Sequence, residues 1–167
     1  NGNGNNIVAW NWKAGGSASS NSGGTITSSV SANTTAGFSI VSYTSNGSAS
    51  QTVGHGLGAV PHWIIAKNRD SSSSSYNYWT VYNHNLATAN DKKLKLNETE
   101  AASTTNLWGD ADPTTTKFYV HTSGDGSTNV STDKIIAYCF TGIKGYSKFG
   151  TYTGNGNADG AFAYTGF

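Results

Sequence analysis

The feature that most limits what this chain can become is its lack of sustained helical periodicity. Apolar and aromatic residues come in short β-rich runs closed off by Gly, Asn and Ser. Such runs predict strands at residues 7–12, 37–44, 51–55, 62–68, 79–83, 92–96, 117–121, 134–140 and 146–153. The one helix candidate is "NETEAASTT" (97–105), a turn or two that Asn97 would cap. Pro61 and Pro113 stand at strand or loop beginnings, where a sheet tolerates a missing donor. Nine short strands in 167 residues imply an all-β chain folded as an antiparallel β-sandwich or barrel, with little helix.

Alternation gives each strand two faces. In "IVAWNW" (7–12) and "IIAYCF" (135–140) one face is small and the other carries the rings. Placing the large face inward predicts a core between two sheets built from Trp10, Trp63, Trp79, Phe118, Tyr138 and Phe140. In "YNYWTVYNHN" (76–85), Trp79 and Val81 then point inward, and Tyr78, Thr80 and Tyr82 outward. Flat amphipathic rings beside amide and imidazole groups are what sugar recognition requires. Tyr78, Tyr82, Asn83 and His84 are therefore the expected carbohydrate-binding residues.

The chain also repeats itself. "YTSNGSA" (43–49) returns as "YTGNGNA" (152–158), and "GFS" (37–39) returns as "GYS" (145–147). "IVAWNW" and "IIAYCF" form a second echo. Between the first copies lies "GGSASSNSGGTITSSVSANTTAG" (15–37), which reads as a low-complexity linker. The expected organisation is a closing strand of a preceding repeat (1–14), a linker (15–36), a central β-sandwich module (37–144) and the opening hairpin of a following repeat (145–167). Methionine is absent, so residue 1 is not expected to be a gene start. On this reading the two ends would dock on neighbouring copies by strand addition, turning subunits into a fibre.

Charged residues make up only 11% of the chain, against roughly 25% in an average globular protein. Ser, Thr, Asn and Gly take their place, a surface suited to an extracellular structural part. No basic run exceeds Lys92-Lys93 and the net charge is +1, which argues against nucleic acid as a partner. No stretch approaches the ~20 apolar residues of a membrane span. The single cysteine, Cys139, sits in an apolar run and reads as a buried, inert thiol.

Other motifs carry less chemistry. "VGHGLGAVPHW" (53–63) runs into Pro61 and another strand, whereas a phosphate-cradling loop opens a helix. His55 within it has no second ligand at metal spacing. Glu98 and Glu100 resemble the carboxylate pair of jelly-roll glycosidases, but Ser103 stands where a third acid is usual. No catalytic residue is assigned, and the chain is not expected to be an enzyme. Asp110, Asp112 and Asp125 are loop carboxylates able to supply oxygen ligands to calcium, although no twelve-residue ligand loop surrounds them. No other cofactor is expected.

"FSIVSYTSNGSASQTVGHGLGAVPHWIIAKNR", "WTVYNHNL", "NLWGDADPTTTKFYV", "DKIIAYCF" and "GYSKFGTYTGNGNADGAFAYTGF" together resemble a repeated module in large virion proteins of marine bacteriophages. These are tail fibres or appendages, and the resemblance covers nearly the whole chain. It implies a jelly roll of the concanavalin/laminin-G type. It implies a structural or adhesive role in a virion or extracellular filament, with other copies of the protein and a host-surface glycan as partners. A free carbohydrate-binding module is the alternative, and a jelly-roll glycoside hydrolase comes third. The resemblance carries no binding or catalytic residue onto positions of this sequence.

Overall fold

A computed structural model of the protein describes residues 4, 6–71, 77–109, 111–122 and 128–166. Ten strands follow one another along these residues. They are β1 (Ser19–Asn21), β2 (Ser28–Asn33), β3 (Phe38–Thr44), β4 (Gln51–Gly54), β5 (Trp63–Asn68), β6 (Trp79–Asn83), β7 (Lys92–Lys95), β8 (Ser103–Thr104), β9 (Lys117–Val120) and β10 (Lys134–Phe140). Eight form one antiparallel sheet in the order β1-β2-β3-β10-β5-β6-β7-β8, and β4 pairs with β9 in a second, smaller one. The last strand in sequence thus lies at the centre of the large sheet, between β3 and β5. The protein is an all-β sandwich.

The core fills the space between the small sheet and one face of the large one. Val41 and Tyr43 of β3, Ile64 and Ala66 of β5, Tyr82 of β6, and Ile135, Ala137 and Cys139 of β10 come from the large sheet. Val53 of β4, Phe118 and Val120 of β9, and Leu107 and Trp108 from the preceding loop close over them. Register aligns Val41, Ala137 and Ala66 in one cross-strand row, so three small residues leave depth for large rings from the opposite layer. Phe118 and Trp108, both fully buried, belong to the same cluster. Tyr43 meets Phe118 edge-on with ring centres 6.3 Å apart.

This reverses the expected faces. Of the six predicted core residues, Phe118 alone lies in that cluster. Trp63, Trp79, Tyr138 and Phe140 belong to the opposite face, and Trp10 is 76% exposed. The ring-rich side is not the buried one, because the covering layer here supplies the bulk and selects small partners beneath it.

Segment 15–36 is also not a linker, because it contains β1 and β2. Ser and Thr serve as strand residues by hydrogen bonding across layers. The Ser28 hydroxyl donates to the Gly54 carbonyl at 2.8 Å, and Thr25 N–H donates to Thr52 Oγ1 at 2.9 Å. The glycines mark close backbone approach. A Cβ on Gly15 would strike the Ala32 carbonyl, and one on Gly24 the Thr52 carbonyl.

Three further elements differ from expectation. Residues 97–105 form no helix; the only helical turn among the described residues is 3-10, at Ala89–Asp91. The described residues of segments 7–12 and 146–153 form no strand, apart from an isolated bridge between Ile143 and Ser147.

Candidate functional site

The outer face of the large sheet is where the rings gather. Tyr138 lies between Ile40 and Ile65, and Phe140 between Phe38 and Trp63. Val81 continues the first row from Ile65, and Trp79 stands opposite Lys67. Trp79 stacks on Tyr138 with centres 6.4 Å apart and planes 18° from parallel. Phe38 and Phe140 lie 4.8 Å apart. Trp12 folds back from the N-terminal segment onto both, 5.4 Å from Phe140 and 6.2 Å from Phe38. At the other end Phe149 packs 5.8 Å from Phe140 and 6.3 Å from Trp63. The result is an open groove of about 390 Å³ lined by Trp10, Trp12, Ile40, Ile65, Trp79 and Leu96 among others. Its chemistry is that of flat, polarisable surfaces with the Asn11 amide at the margin.

The four residues predicted to bind carbohydrate do not share a surface. Tyr82 is 3% exposed, with its ring edge-on to Trp108 at 5.8 Å and its hydroxyl donating to Asp112 Oδ1 at 3.2 Å. Burial, reinforced by the Asp112 charge, pushes its phenol well above the usual range. Asn83 is buried, its Oδ1 accepting the Asn85 N–H at 3.0 Å. Tyr78 is half-buried beneath the Lys95 ammonium, 3.8 Å from the ring centre. His84 is exposed. The cause is again parity: Thr80 and Tyr82 point into the core, and Trp79 and Val81 point away from it.

Of the calcium candidates, Asp112 is exposed and engaged by Tyr82, and Asp110 and Asp125 lie outside the described residues. No group of three or more His, Cys, Asp or Glu among the described residues could hold a metal ion. Glu100 is exposed and paired with Lys95 at 2.9 Å. His55 is fully buried, with Nε2 3.1 Å from the Thr114 carbonyl and Nδ1 accepting the Leu57 N–H at 3.2 Å. Desolvation holds it below the usual imidazole range. Burial pushes the Cys139 thiol up to about 12, so it stays protonated at neutral pH.

A second concavity lies where the β5–β6 end meets the segment after β10. The β5–β6 register pairs Trp63 with Asn83, which brings the next residues out, His62 and His84, side by side. Their imidazoles stack with centres 4.2 Å apart and planes 15° from parallel, and His84 N–H donates to the His62 carbonyl at 3.0 Å. They line a cleft of about 430 Å³ with Asn85, Lys144, Lys148 and Phe149. Nothing in the separation of the two histidines along the chain announces the pair; only the strand register does.

The fold defines an all-β sandwich with a ring-lined outer face on its large sheet. The chain belongs to the DUF7483 family, a domain of unknown function, which matches residues 1–167. No curated protein and no solved structure matches it.

Proposed function

We propose that this protein is a structural and adhesive module of a virion fibre or other extracellular filament, assembling with copies of itself and contacting a host surface. The observation that carries this reading is the aromatic outer face of the large sheet. Trp79, Tyr138, Trp63 and Ile65 are only half-buried there, and Trp10 and Leu96 are exposed at its rim. Rings of this size are the usual anchors of protein interfaces, because each buries roughly 150–250 Å² when covered. The nearly uncharged, Ser/Thr/Asn-rich composition and the bacteriophage resemblance support an extracellular or virion setting. The role is one of binding, with no catalytic step.

A second reading, a free carbohydrate-binding module, is favoured by the groove itself. Stacked rings can take the apolar face of a sugar as readily as a neighbouring subunit. Light scattering separates the two. Filament assembly predicts concentration-dependent growth of the wild-type protein and folded monomers for the double variant Trp79→Ser, Tyr138→Ser. A wild-type protein that stays monomeric at all concentrations, yet binds neutral glycans on an array, overturns the first reading in favour of the second.

A further inference from the structure

We infer that the cleft between the β5–β6 edge and the segment after β10 is a binding site for an anionic saccharide, a sugar ring bearing a single carboxylate or sulfate. The inference rests on the host-contact part of the proposed function for its ligand class, and on the cleft alone for its place. Two ammonium groups, Lys144 and Lys148, and two imidazoles, His62 and His84, line one concavity of about 430 Å³. No carboxylate is among the described residues that line it. In a chain with a net charge of only +1, two lysines with no carboxylate among the described lining make a local positive spot that overall composition does not supply.

The imidazoles and the Asn85 amide are held in place, and the exposed Lys144 and Lys148 side chains reach in from the facing segment. Gly142 N–H donates to His62 Nδ1 at 3.0 Å, which fixes the tautomer and leaves the ring proton on Nε2. His84 is fixed against the other imidazole by stacking and by its backbone bond to His62. Asn85 Nδ2 donates to the Phe149 carbonyl at 3.2 Å, tying the lysine-bearing segment to the β6 end. Phe149 adds a ring to the wall of the cleft and continues the aromatic row through Trp63. Cations for the anionic substituent, imidazole and amide groups for hydroxyls, and a ring for the sugar's apolar face thus converge. Lys148 also lies over the Tyr164 ring, 5.6 Å from its centre, so its ammonium stands between a ring and the cleft, whereas a neutral sugar would leave the Lys144 charge without a partner.

Calorimetric titration tests the site with a mono-sulfated disaccharide, a uronate-containing disaccharide, their uncharged parent sugar and inorganic sulfate. Either charged disaccharide should bind roughly tenfold or more tightly than the parent. Affinity should fall as salt rises from about 0.05 to 0.5 M, because exposed lysines are screened. Lys144→Ser with Lys148→Ser should remove that preference; both side chains are exposed, so the variant is expected to fold. Equal binding of charged and uncharged sugars overturns the inference, as does unchanged binding by the folded double variant. Inorganic sulfate that matches the best disaccharide also overturns it, since the ring would then contribute nothing. Light scattering on the same samples keeps the two proposals apart. Assembly without charged-sugar binding refutes this site alone, and binding without assembly refutes the filament alone.

Discussion

The two faces of the eight-stranded sheet use the same strands for opposite ends. On β10, Ile135, Ala137 and Cys139 face the closed layer, and Ile136, Tyr138 and Phe140 lie on the outer face. The small face is the better buried one. What separates the faces is the cover above them: Phe118, Val120 and Trp108 complete one side, and two terminal segments only partly shield the other. Side-chain volume therefore indicates how much room a layer has, and only the covering layer tells whether water is excluded.

Substitutions can break this contrast at four points. The largest effect is expected on the closed side, where Phe118→Ala should cost ~3–5 kcal/mol in urea unfolding. A loss below about 1 kcal/mol would show that the small sheet does not seal the core. Next comes the backbone contact that holds the serine-rich strands in the sandwich. Gly24→Ala drives a methyl group into the Thr52 carbonyl and should destabilise by ~1–3 kcal/mol. A neutral result would return residues 15–36 to the status of a loose tether.

On the open side, Trp79→Ala removes one stacked pair and half-buried area. It should cost only ~0.5–1.5 kcal/mol, with its main consequence in assembly measured by light scattering. A loss as large as that of Phe118→Ala would erase the distinction between the faces.

The smallest effect should come from pH. His55 and His62 are both held below the ordinary imidazole range, His55 by desolvation and His62 by desolvation followed by the neighbouring His84. The unfolded chain therefore binds more protons than the folded one once pH falls below an ordinary imidazole pKa of about 6.5. Stability contributed by these neutral rings is complete above that value and is lost progressively as pH falls toward the folded pKa values. The thermal midpoint should drop between pH 7 and pH 6, less so in a His62→Gln variant. A midpoint that rises over that interval would contradict the sign.

Much of the sandwich was legible in the sequence. Strands β3 to β7, β9 and β10 fall where alternating runs predicted them, because their apolar residues bracket a buried layer. β1 and β2 did not announce themselves, since Ser28 of β2 is anchored by its hydroxyl, and Thr25 just before it by the Thr52 hydroxyl, bonds that a hydrophobic pattern cannot register. Residues 7–12 looked like a strand through Trp10 and Trp12, but Trp12 is used to cap rings and not to pair backbone. The candidate site was half legible. Trp10, Trp63, Trp79, Tyr138 and Phe140 stand out in the sequence as rings, but alternation alone cannot say which face is covered, so they and Tyr82 are expected on the opposite sides. Trp12, Phe38 and Phe149 join them only through the fold. The His62–His84 pair was hidden because it exists only through the β5–β6 register.

The central place of β10 sets a timetable for the chain's own making. β3 and β5 bond to β10 on facing sides, so each offers an open row of donors and acceptors until residues 134–140 have been synthesised. At roughly 5–20 residues per second, the chain between β5 and β10 takes several seconds to emerge. Through that interval the nascent sheet is a slot waiting for a tongue, and an unfilled slot accepts any suitable strand. The order of the strands thus leaves the closing of the sheet to the last strand made.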